Sequence, residues 1–278
     1  MALTRILCAA VMALGVAQAG AASEEPMSLE HGYRLMYELD FESAGRVFLQ
    51  WRVDHPRDPL GPVSQAANLL FMELNRSGVL QAQFFVDNKS FTGGKHPTVP
   101  PDVRARFEAA VADAEAVARA RLAEDPRNHD ALFALAMTFG LRADFAGLLD
   151  GRNMAALSYS RQATRVARTL IELAPDYADA YLATGVSQFI VGSLIAPMRW
   201  VLRLAGFDGD KTKGMQQVRL TAEGGRFLGP FARILLAIAC LREHDTKGAR
   251  ELLAGLARDF PSNPLFAREL QRIPAKAD

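Results

Sequence analysis

Four prolines in this chain, Pro56, Pro126, Pro175 and Pro261, each follow an alanine by 12 residues: Ala44, Ala114, Ala163 and Ala249. Proline lacks an amide proton and clashes with the preceding turn, so each marks the stop of a helix. Acidic residues crowd these stops, as in Asp54-His55-Pro56, Glu124-Asp125-Pro126, Pro175-Asp176 and Asp259-Phe260-Pro261. One turn beyond each alanine stands another small or apolar residue: Phe48, Ala118, Ala167 and Leu253. Small side chains at that spacing let the second helix of a hairpin approach the first closely. From Met27 onward apolar residues recur at helical spacing and no segment alternates with period two, so the class is all-α. With 50% of 278 residues hydrophobic, such a chain can bury a substantial core.

The pattern resembles the tetratricopeptide repeat, a 34-residue helical hairpin with small residues near its eighth and twentieth positions and a proline near its thirty-second. Gly32 falls at the first small site when counted back from Pro56; Leu135, Ala136 and Phe139 follow Pro126, Gly185 follows Pro175, and Leu236 and Ala237 precede Pro261. The resemblance implies a right-handed superhelical array of antiparallel helix pairs, a solenoid occupying residues 20–278 as one domain. No tryptophan occupies the fourth position of a repeat, and the proline spacings are not multiples of 34, so inserts separate or lengthen the units. They are read at 85–101, a turn-rich loop, at 141–153, and at 192–210. The third is apolar and carries Arg199, Trp200 and Arg203. It reads as a short helix folded over the core, with an amphipathic element touching lipid or a partner as the alternative.

Residues 1–19 have the form of a secretory signal peptide: Arg5, an apolar run from Ile6 to Val16, and Ala17-Gln18-Ala19 as the cleavage pattern. The expectation is an exported protein of the periplasm or cell envelope, with no transmembrane span once the signal is removed. Cys240 would then be the sole cysteine, within a continuous apolar stretch where burial is expected. Lys and Arg total 32 against 31 Asp and Glu, a balance that draws the chain to no nucleic acid.

In the family, the first helix of each unit lines a concave face that holds peptides or proteins. The resemblance places Tyr33, Met36, Phe133, Met137, Leu182, Val186 and Phe189 on that face. It is apolar and aromatic, unlike a clamp for a terminal carboxylate. The leading expectation is a non-catalytic scaffold or adaptor for a protein or peptide partner; the alternative is a carrier or sensor of an apolar small molecule or lipid enclosed by the array. No catalytic residue, cofactor or metal is expected. His31, His55, His96, His129 and His244 are scattered, with no paired ligand spacing. Gly185-Val186-Ser187-Gln188-Phe189 lacks the closing glycine of a nucleophile elbow and reads as helix. The run from Gly206 to Gly214 fits neither a phosphate loop nor a calcium loop and reads as a turn, with Asp210 capping the next helix. Asp144, Asp150 and Asp176 are read as helix caps.

Overall fold

The computed structural model describes residues 27–80, 96–193 and 209–273; residues 1–19, read above as a signal peptide, and Arg199, Trp200 and Arg203 lie outside them. Among the described residues the chain is all-helical, without a strand. The helices are α1 (Leu29–Tyr37), α2 (Phe41–Asp54), α3 (Leu60–Arg76), α4 (Pro101–Glu124), α5 (His129–Asp144), α6 (Asn153–Leu173), α7 (Tyr181–Gly192), α8 (Lys211–Gly224), α9 (Gly229–Arg242), α10 (Thr246–Asp259) and α11 (Pro264–Arg272). A π-helical turn (Phe145–Leu149) extends α5, and a 3-10 turn (Ala178–Ala180) precedes α7.

The four proline stops fall where the sequence places them. α2, α4, α6 and α10 end at Asp54, Glu124, Leu173 and Asp259, two residues before each proline. Ala44, Ala114, Ala163 and Ala249 are all buried, as are Phe48, Ala118, Ala167 and Leu253 one turn on. Gly32 presses on the Phe48 ring so closely that a Cβ would overlap it. Gly185 lies likewise against Val218, and Gly214 against the Phe189 backbone. Side-chain caps open several helices: Ser28, Asp40, Asn128, Asp210, Asp245 and Asn263 each accept an amide of the first turn, satisfying donors that a helix start leaves unpaired.

Each helix packs on its chain neighbours, and α1 on α3, α3 on α5 and α5 on α7 also touch. Successive helices are antiparallel: Tyr177 reaches Asp130 while Arg142 lies over Tyr159 across α5 and α6, and Gly192 meets Lys211 while Gly185 meets Val218 across α7 and α8. The odd-numbered helices α1, α3, α5 and α7 therefore touch one another in a row.

The first helix also meets the last ones. The Tyr37 hydroxyl donates to the Phe227 carbonyl at 3.0 Å, and Asn263 Nδ2 donates to the Tyr37 carbonyl at 2.8 Å. Tyr33 packs on Phe227 and Tyr37 on Phe260, Phe71 of α3 meets Phe231 of α9 edge-on, and Arg226 pairs with Glu30. The row thus closes on itself from α1 to α9.

Three expectations are corrected. Asp144 makes no cap hydrogen bond, because the helix widens into the π turn instead of stopping, keeping Phe145, Ala146 and Leu149 in the core. Asp150 is held by the guanidinium groups of Arg104 and Arg152 rather than by amides. Cys240 is only partly covered, since it lies on the side of α9 facing the α10 start near Gly248. The segment His129–Leu149 is long and apolar enough to cross a membrane by composition; its place at the centre of the array accounts for that composition.

Candidate functional site

Closure of the row leaves a cavity of about 360 Å³ along its axis. Successive turns of these helices supply its wall. α5 contributes Phe133, Met137, Gly140, Leu141 and Asp144, the i, i+4, i+7, i+8, i+11 stripe of one helix face. α3 gives Leu70 and Leu74, α7 Leu182, Val186 and Ile190, and α9 Phe231, Leu235 and Arg242. All seven residues placed by the sequence on the concave face, Tyr33, Met36, Phe133, Met137, Leu182, Val186 and Phe189, line this one cavity. Tyr33, Met36, Phe133 and Leu182 are buried; Met137, Val186 and Phe189 are half-buried and present more of their surface.

An aromatic floor shuts the end where these helices begin. Phe133 stacks on Phe227 with centroids 6.1 Å apart, and Tyr33 packs on both Phe227 and Phe48. The Tyr33 hydroxyl accepts from Ser64 Oγ at 3.2 Å and leans on the Met137 sulfur. Burial pushes the pKa of the Tyr33 and Tyr37 hydroxyls well above that of an ordinary phenol, so both are neutral hydrogen-bonding groups. The far end is the rim where α3, α5, α7 and α9 finish, with Leu74, Asp144, Ile190 and Arg242.

Two carboxyls line the cavity, and their surroundings differ. Asp179, at the floor, is buried and accepts the backbone amides of Arg226, Phe227 and Leu228, with distances of 2.8 Å from the first and last. Burial still pushes its carboxyl above the usual range against those donors. It holds the turn that positions Phe227 and the start of α9. Asp144 has no hydrogen bond or ion pair among the described residues. It stands at the cavity rim, crowded by surrounding protein yet exposed at its surface. Burial, with no cation contributing, pushes its carboxyl up to about 7.

Sequence reasoning missed Asp144 and Asp179 as wall residues. The signal for Asp144 is its register: it continues the apolar stripe of α5, where a core helix carries an apolar side chain. No group of three or more His, Cys, Asp or Glu is assembled for a metal among the described residues. Gly185 to Phe189 is uninterrupted helix within α7, and Asp210 Oδ1 accepts the Lys213 amide at the start of α8.

No protein-family model matches this chain, and no characterised protein matches its sequence.

Proposed function

We propose that this chain is an exported tetratricopeptide-type array, closed around its axis, that carries or senses an apolar small molecule in the central cavity. The observation that supports this reading is the joint one: residues of α1, α5 and α7 expected on the concave face line one apolar cavity. Contacts between α1 and the turns around Phe227 and Phe260 narrow the face on which a folded partner would sit. The size of the cavity falls within the range of pockets that take small ligands, and its wall has the usual makeup of many apolar groups and few polar ones. A protein scaffold is the second reading, favoured by exposed Leu49 and Val53, one turn apart on α2.

Solvent extraction of the purified full chain, with mass spectrometry of the extract, is expected to release a stoichiometric apolar compound. Binding of the neutral fluorophore N-phenyl-1-naphthylamine reports the cavity directly. Val186→Trp, which fills the space between α7 and α5, is expected to weaken that binding about tenfold or more while leaving the helical spectrum intact. Undiminished binding by this variant would move the site off the cavity and return the scaffold reading to the front.

A further inference from the structure

A second, smaller cavity of about 70 Å³ lies in the joint that closes the row. We propose that this joint is the passage by which the apolar ligand enters and leaves the central cavity, with the rings of Phe71 and Phe231 as its inner barrier. The proposal rests on the reading of the central cavity as a ligand site.

Two unlike kinds of joint hold the row together. α1 on α3, α3 on α5 and α5 on α7 are packed helix against helix. Among the described residues, the join from α1 and α3 to α9, α10 and α11 is made instead by side chains that reach across. Asn263 Nδ2 donates to the Tyr37 carbonyl at 2.8 Å, Arg34 donates to the Asp259 carbonyl at 3.4 Å, and Phe71 meets Phe231 edge-on with centroids 5.3 Å apart. A joint with few backbone-close contacts opens at lower cost than interlocked helix faces.

The smaller cavity runs through this joint. On one side its wall is Leu39, in the turn after α1; on the other it is Ile234 and Leu241 of α9 with Leu265 of α11, and all four are half-buried. Inward, Met36, Phe71, Phe231 and Leu235 stand both in its wall and in that of the central cavity. A space of about 70 Å³ has room for about two non-hydrogen atoms at about 30 Å³ each. It is too small to be a ligand site of its own, yet it joins partly exposed residues to the central wall. Phe71 and Phe231 are themselves half-buried, and an edge-to-face pair parts by rotation about side-chain torsions without unpacking a helix.

The chemistry of the passage suits an apolar traveller. Its polar side chains are already engaged: Asn263 Oδ1 accepts the Leu265 amide while its Nδ2 holds Tyr37, Glu269 is paired with Arg272, and the Tyr37 hydroxyl donates to the Phe227 carbonyl. A polar solute gives up water there for no new hydrogen bond, whereas an apolar one is favoured by leaving water.

The test is stopped-flow mixing of N-phenyl-1-naphthylamine with the full chain, which yields association and dissociation rates and, from their ratio, the affinity. Ile234 and Asn263 line the passage and not the central cavity. Ile234→Trp is expected to slow both rates about tenfold by obstructing the path. Asn263→Ala, which unfastens Tyr37, is expected to speed both about fivefold. Affinity stays within about twofold of wild type in each, and Ile190→Trp, at the far rim, leaves both rates unchanged. An affinity that changes at an unaltered association rate makes the smaller cavity part of the binding site and overturns the passage. Rates untouched by Ile234→Trp and Asn263→Ala, or slowed by Ile190→Trp alone, overturn it too and leave the central cavity standing as the site. A wild type that melts cooperatively and binds no fluorophore overturns both.

Discussion

Asp144 and Asp179 share a cavity and a residue type, yet they act on the fold in opposite ways. Both have carboxyls held above the usual range by burial, so both favour the folded state in its protonated form. Stability is then greatest below the unfolded value near pH 4 and declines as pH rises, for Asp144 up to about 7. Asp144→Asn is expected to flatten that decline and to raise the melting temperature above pH 7, measured by thermal melts from pH 4 to 8. Asp179→Ala should do the reverse of stabilising. It strands three backbone amides at the start of α9, a loss of about 3 kcal/mol or more by urea unfolding. Neither role was legible in the sequence. An aspartate near a helix end is usually a cap, and only the place of Asp144 on the apolar stripe of α5 marks it as different. Asp179 reads as an ordinary turn acid because its partners lie 47 to 49 residues away.

At the level of helices, the spacing of alanine and proline carried most of the information, because both act locally. A proline stops its own helix, and an alanine 12 residues earlier permits one close crossing. Gly32 was legible for the same reason, and Phe48 is what it accommodates. Gly185→Val is expected to force α7 from α8, whose Val218 leaves no room for a side chain, and to cost about 2 kcal/mol in chemical denaturation. The π turn was not legible. Its five residues, Phe145–Leu149, continue the apolar composition of α5, and the wider winding is set by distant packing, with Phe145 stacked on Phe107 at 4.4 Å between centroids.

Over the whole molecule, the repeat spacing predicts a row of hairpins, while the contacts close that row on itself. Nothing in Tyr37 or Asn263 alone announces their pairing across 226 residues, so closure could not be read from local pattern. An open array of repeats loses its end units first, since each unit leans only on its neighbours. Here α1 is braced by the turns before α9 and α11. Urea unfolding is expected as one transition, reported alike by helical ellipticity and by the fluorescence of the two tryptophans, of which Trp51 lies on α2. Asn263→Ala should lower the midpoint of both signals together by removing the donor to the buried Tyr37 carbonyl, a loss of about 1–3 kcal/mol. The same brace governs the order in which the chain can mature. Closing a loop of 190 residues or more is slow relative to forming any one hairpin. The first helix must therefore wait, its tyrosines unsheltered, until nearly the last residue has been made. A nascent chain that stops before α9 keeps its hairpins and lacks Phe231, Leu235 and Arg242, so the cavity wall is complete only once α9 has been made.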